Sequence, residues 1–203
     1  MTLLSQAKTL GGVGSILLLL TIAPAVGSVL GIVGLILILV ALKYVSDAVN
    51  DKSIFNNAII AVVLAIVGIA VAGAVIVSYL FSYIGLDNLR SLPMTFRSGY
   101  LPPGGLLPLL STIIIALAAV WIFYIVSAIF LRRSFGSVST KLNVGTFQTA
   151  ALIYLIGAAL TIVLVGFILI FVADILFIIA FFSIPETITP QSGLSNQPQG
   201  NKL

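Results

Sequence analysis

Long apolar runs separated by short polar breaks make up most of the chain. From Thr9 to Leu42 no residue is charged, yet a single helix over that stretch would measure about 50 Å against a hydrocarbon core of about 30 Å. The run must fold back, and "APAVG" at Ala23 to Gly27 supplies the proline and glycine of a tight turn. This predicts helices over 7–23 and 26–45. "KYVSDAVNDKSIFNN" follows as a polar connection, with Ser53 placed to cap a third helix over 54–83. That helix is long enough to tilt or protrude. Pro93, Pro102 and Pro103 then mark a loop with room for a short interfacial helix. A fourth helix is expected over 106–131, ending at Arg132 and Arg133.

From Val144 to Ile184 there is again too much apolar chain for one crossing, and Gly166 separates two stretches of spanning length. Helices over 147–165 and 167–183 are predicted, and 185–203 is a polar tail rich in Pro, Gln, Asn and Gly, expected to be flexible and cytoplasmic. The fold class is therefore an all-α membrane protein. Residues 1–184 form one bundle of about six transmembrane helices, with the first and last pairs as short hairpins. A four-span alternative makes each of those pairs a re-entrant hairpin. A faint internal echo links them: Gly27 precedes Ala41 and Leu42 at the spacing by which Gly166 precedes Ala180 and Phe181. A true repeat would suggest a transporter-like plan.

Composition agrees with spanning helices, at 61% hydrophobic and 7% charged residues with a mean hydropathy of +1.30. A membrane barrel would need ten-residue segments of alternating polarity, which the runs lack. The chain has no Cys and no His, which removes disulfides, thiolate nucleophiles and the commonest transition-metal ligands. No enzyme activity, cofactor or metal site is expected. The net charge of +4 points to orientation and not to nucleic acid, because the basic residues flank apolar runs. Six crossings put Lys8, Lys43, Lys52, Arg132, Arg133, Lys141 and Lys202 on one side, and only Arg90 and Arg97 on the other. By the positive-inside rule both termini are then cytoplasmic.

Taken together, "AKTLGGVGSILLLL", "VGLILILVALKYVSD", "SIFNNAIIA" and "IYLIGAALTIVLVGFILIFVADILFIIAFFSIP" resemble an uncharacterised family of archaeal multi-spanning membrane proteins. The resemblance runs from about Ala7 to Pro185. It implies a helical bundle in an archaeal plasma membrane, and no catalytic or binding residue transfers with it.

One residue breaks the apolar pattern. Asp174 sits near the middle of "VGFILIFVADILFIIAFF", a depth at which an Asp costs roughly 2.5–3.5 kcal/mol on insertion scales, so it should face the bundle interior or a water-filled cavity. Ser15, Tyr154 and Tyr124 lie at comparable depth. Two roles fit: a protonated carboxyl bonding between helices, or an intramembrane ion or proton site. Small residues form two seams, Ala58, Ala61, Ala65, Gly68 and Ala72 on the third helix and Gly27, Gly31 and Gly34 on the second. Their three- and four-residue steps give each seam one face that another helix backbone can approach, in this chain or in a partner. "GGVGS" at Gly11 to Ser15 is a poor match to a phosphate loop, with no lysine following and an apolar helix around it.

Several polar features have plain readings. Arg132, Arg133 and Lys141 suit topological anchoring or anionic headgroups. Asp47 and Asp51, flanked by Lys43 and Lys52, read as a solvated cluster more than a cation site. Tyr79 and Tyr83 suit an interfacial belt, and Met94, Phe96 and Tyr100 a contact patch in the outer loop. Abundant packing seams and sparse chemistry make a structural or accessory subunit the leading expectation, acting through the lipid bilayer and through other membrane subunits or itself. The alternative is a small transporter or channel with Asp174 as its working group.

Overall fold

The helix ends follow from local chemistry. The computed structural model describes residues 2–84 and 106–186. Thr2 Oγ1 accepts from the Ser5 amide at 3.2 Å, satisfying one of the donors that a helix start leaves open, and α1 (Leu3–Leu19) begins there. It tightens into a 3-10 turn at Leu20–Ile22, and Ala23, held extended before Pro24, stops it. The first helix therefore starts earlier than the apolar run suggests, because a cap and not hydropathy sets its start. After a left-handed Ala25 (φ 69°), α2 runs over Gly27–Ala48.

Asn50, also left-handed at φ 51°, ends the next turn, and α3 follows over Lys52–Ile84. Its cap is Asp51 and not the expected Ser53: Asp51 Oδ1 accepts from the Ser53 amide at 3.0 Å and from Ser53 Oγ at 2.6 Å. These two bonds hold the Asp51 carboxyl below the usual carboxylate range, with Lys141 nearby helping against a small burial penalty. Asp47 pairs with Lys43 one turn back.

The largest departure from expectation is α4, which runs over Leu106–Leu142 and does not stop at 131. Arg132 and Arg133 end the apolar surface but not the helix. Leu131, Phe135, Val138 and Leu142 keep a helical spacing past them, the last three buried, until Asn143 turns left-handed at φ 55°. Then come α5 (Thr146–Leu160), a 3-10 turn at Thr161–Val163, and α6 (Val165–Phe182), with the reversal at left-handed Leu164. The fifth and sixth helices thus end and begin a little before the expected 165 and 167.

There are no strands among the described residues. Six helical runs of 18 to 33 residues are long and apolar enough to cross a membrane; at 1.5 Å per residue they reach about 27 to 50 Å, long enough for full crossings without re-entrant loops.

Each helix packs on its neighbours in sequence, and α1 packs on α6, so the six close into a ring. Antiparallel α3 and α4 are tied where Ser127 Oγ donates to Ala61 O and Ser134 Oγ donates to Ile54 O, both at 2.7 Å. The ring closes through "GGVGS": side chains at Gly11 and Gly12 would run into the rings of Phe181 and Phe182 on α6. Gly14 meets α2, where a Cβ would lie 2.8 Å from Gly34 O. The glycines of this stretch are packing devices.

Tight packing is concentrated at the end carrying Thr2, Asp51, Asn143 and Glu186. There Phe135, Phe147, Phe177 and Phe181 form one ring cluster, with centroids 4.4 to 6.0 Å apart, beside Leu42, Val45, Ile54 and Ile184. Thr2 Oγ1 donates to Glu186 O at 3.0 Å and Lys8 faces the Glu186 carboxylate, joining the start of α1 to the end of α6. Lys8, Lys43, Lys52, Arg132, Arg133 and Lys141 all belong to this end. The opposite end bares large apolar side chains, among them Ile22, Leu107 and Leu164 at 75%, 80% and 73% exposure, as expected of surface that lipid covers.

The echo between the terminal hairpins extends through their packing. Gly27, Gly34, Ala41, Leu42 and Val45 on α2 recur at identical spacing as Gly166, Ala173, Ala180, Phe181 and Ile184 on and just after α6, and all are buried. Both hairpins use a 3-10 turn and a left-handed residue two positions before the first glycine. They run in the same sense, the geometry of a parallel repeat about the membrane normal.

Arg90, Arg97, Met94, Phe96, Tyr100, the short interfacial helix, Lys202 and the tail from 187 lie outside the described residues, as does the Tyr83 side chain. Tyr79 is buried.

Candidate functional site

Six helices in a ring leave a space at its axis. A chamber of about 100 Å³ lies there, and every helix contributes to its wall: Ser15 and Leu18 from α1, Leu35, Ile38, Leu39 and Leu42 from α2, Ala58 and Val62 from α3, Leu131 and Phe135 from α4, Tyr154 from α5, and Asp174 and Phe177 from α6. Of the four polar residues placed at this depth by the sequence, Asp174, Ser15 and Tyr154 face this one chamber, and Tyr124 is not among its lining residues. Among the described residues no Lys or Arg lines it.

Asp174 is half-buried, and among the described residues its carboxylate has no hydrogen bond or ion pair. The three hydroxyls at comparable depth make their bonds elsewhere. Ser15 Oγ donates to Gly11 O of its own helix at 2.8 Å, and Tyr154 accepts from the Tyr124 hydroxyl at 2.9 Å. Both phenols remain within electrostatic range of Asp174. Trp121 Nε1 donates to Ala159 O at 3.3 Å, a second polar tie between α4 and α5. Phe135 and Phe177, 4.4 Å apart between centroids, join the chamber to the aromatic cluster.

The repeat reaches the chamber too. Ser15, Leu35 and Ile38 stand at the spacing of Tyr154, Asp174 and Phe177, so equivalent positions of the two terminal hairpins line the same chamber. One hairpin carries leucine where the other carries the acid.

The seams are occupied within the chain. Ala58, Ala61, Gly68 and Ala72 are buried, Ala61 O accepts from α4, and a Cβ on Gly68 would meet Phe123 at 2.6 Å. Ala65 is half-buried on the same helix. Gly27 and Gly31 pack against Thr21, and Gly34 against Gly14. Among the described residues no group of three or more Asp or Glu side chains is placed to hold a metal ion.

Residues 30–175 match the family described as "Protein of unknown function (DUF996)". The chain belongs to this DUF996 family. The matched region runs from α2 into α6 and includes Tyr154 and Asp174. An uncharacterised relative, MJ1644 of Methanocaldococcus jannaschii, is 33% identical over 189 residues, covering 93% of this chain and 97% of its own. The archaeal, uncharacterised family expected from the sequence is therefore the DUF996 family. No solved structure matches the chain.

The residues that sequence reasoning left out are Phe135 and Phe177. Phe135 fell beyond the expected end of the fourth helix. The helical spacing of Leu131, Phe135, Val138 and Leu142 was the signal that would have placed it.

Proposed function

We propose that this DUF996 protein is a small transporter or channel in which Asp174 is the charged group that a cation or proton engages inside the membrane. One observation carries the reading: a carboxylate without a protein partner among the described residues faces a chamber lined by the six described helices. An acid placed at that depth as helix glue would be spending its oxygens on a neighbouring helix, whereas Asp174 leaves them to the chamber. The parallel repeat adds support, because transporters of this kind place their sites between internal repeats near the midplane.

The reading includes an archaeal plasma membrane with both termini cytoplasmic, an orientation that the basic end supports. The second reading, a structural or accessory subunit, draws on the wide apolar exposure away from the basic end. It has lost its main motive, since the small-residue seams are engaged by helices of the same chain.

Flux separates the two. Purified protein in liposomes carrying an entrapped pH dye is given a proton gradient or a cation gradient. The transport reading expects gradient dissipation by the natural sequence and its loss in Asp174→Asn with unfolding behaviour unchanged. Equal flux from both, or none above empty liposomes, overturns it, and a reproducible complex with other polypeptides in mild detergent would favour the accessory role.

A further inference from the structure

The wall of the chamber narrows the kind of cation. We propose that it takes a small alkylammonium ion of about four heavy atoms, with the ammonium against Asp174 and the alkyl groups against Phe135, Phe177, Leu35 and Ile38. The inference rests on the cation-site reading above and goes further by naming the ligand class.

Coordination chemistry comes first. A dehydrated hard cation takes about six or more oxygens. Among the described residues the chamber offers about four side-chain oxygens, two from Asp174 and one each from Tyr154 and Ser15. A hydrated ion would instead set its water shell against leucine, isoleucine and phenylalanine, losing the hydrogen bonds that hold it. A bare proton would need the carboxylate but not the chamber.

An alkylammonium ion meets each constraint. Its single charge needs one carboxylate, its few N–H donors are matched by Asp174 and the Tyr154 oxygen, and its alkyl groups belong on apolar walls. Aromatic faces attract such cations, and the chamber sets Phe135, Phe177 and Tyr154 around the acid, with the Phe177 and Tyr154 centroids 6.3 Å apart. Size follows from volume. An engineered cavity of about 150 Å³ admits benzene, so a chamber of about 100 Å³ holds roughly four heavy atoms, the size of trimethylammonium.

The test uses the full chain in detergent with three probes at matched ionic strength: trimethylammonium chloride, sodium chloride and the neutral, similarly branched four-heavy-atom alcohol propan-2-ol. Saturable binding by calorimetry, with a matching rise in unfolding temperature, is expected for trimethylammonium alone. Asp174→Asn should weaken it roughly ten- to hundred-fold, the range for losing a charged hydrogen-bond partner. Leu35→Phe, which fills the chamber and keeps the acid, should abolish it, and this second variant serves if Asp174→Asn fails to fold.

Equal, Asp174-dependent binding of sodium overturns the ligand class while leaving the cation site standing. Equal binding of propan-2-ol overturns it as well, because charge would then be irrelevant. If no probe binds but Asp174-dependent proton flux persists in liposomes, the alkylammonium proposal fails and the transport reading survives. If binding and flux are both absent, both fail.

Discussion

Replacing Asp174 by leucine sets two accounts of the residue against each other with opposite signs. If Asp174 were interhelical glue, the substitution would cost the value of a membrane hydrogen bond, about 0.6 kcal/mol on average and up to about 1.7. The carboxylate has no such bond among the described residues, so that loss should not arise. What remains is the cost of holding an acid at midplane depth. Insertion scales put it at about 2.5–3.5 kcal/mol for Asp, with about 0.3–0.6 kcal/mol in favour of Leu. The upper bound on the gain is therefore about 3–4 kcal/mol. The realised gain should be smaller, because water in the chamber and a snorkelling unfolded chain both ease that cost. Leucine keeps the four-atom, Cγ-branched skeleton of aspartate, and the chamber has room for its slightly bulkier methyl groups. Thermal unfolding in detergent, followed by circular dichroism, should show Asp174→Leu at least as stable as the natural sequence, with binding and flux lost. A melting temperature lowered by several degrees would refute the reasoning and return Asp174 to a structural role.

Other substitutions test the packing. Gly34→Val places a Cβ 2.6 Å from Gly14 O and 2.9 Å from the Leu18 amide nitrogen, both backbone, so the α1–α2 crossing must splay; a loss of about 1–3 kcal/mol or more is expected in denaturant unfolding. Gly73→Ala, where nothing lies within 4 Å, should instead stabilise α3 by up to about 1 kcal/mol in the same assay. Ser134→Ala removes the bond to Ile54 O and should cost about 0.6 kcal/mol, without effect on flux. Asp51→Ala removes the α3 cap, worth about 1 kcal/mol. Because folding depresses the Asp51 carboxyl, its contribution is present above the ordinary value of 3.8 and disappears as pH falls through the lower folded value. The stability gap between Asp51→Ala and the natural sequence should therefore be full at pH 7 and close in acid.

Much of this architecture was legible in the chain because membrane helices announce themselves by length and apolarity. The two fold-backs were equally legible, one from Pro24 and Gly27 and the other from the excess length around Gly166. The ends were harder. Thr2, Asp51 and Asn143 set boundaries through single caps and left-handed turns, whereas apolar runs mark only where lipid begins and ends. At Arg132 and Arg133 the two criteria part company, and the helix continues on core contacts alone. The depth of Asp174, Ser15 and Tyr154 was visible too, but their shared chamber was not, because ring closure depends on Gly11 and Gly12 admitting the Phe181 and Phe182 rings. That contact lies between the two extremes of the chain. The repeat was faint for a related reason: spacing carries it, and the identities differ where the chemistry is, leucine at 35 against aspartate at 174.

The central claim is that Asp174 gives a reachable chamber its negative charge. The chain has no cysteine, so a single Leu35→Cys substitution provides a clean reporter in the chamber wall. Its labelling rate is compared for a cationic aminoethyl and an anionic sulfonatoethyl methanethiosulfonate. The account predicts faster reaction with the cation, and loss of that preference when Asp174→Asn is added. Equal rates for the two reagents, or a preference that survives without the acid, would contradict it.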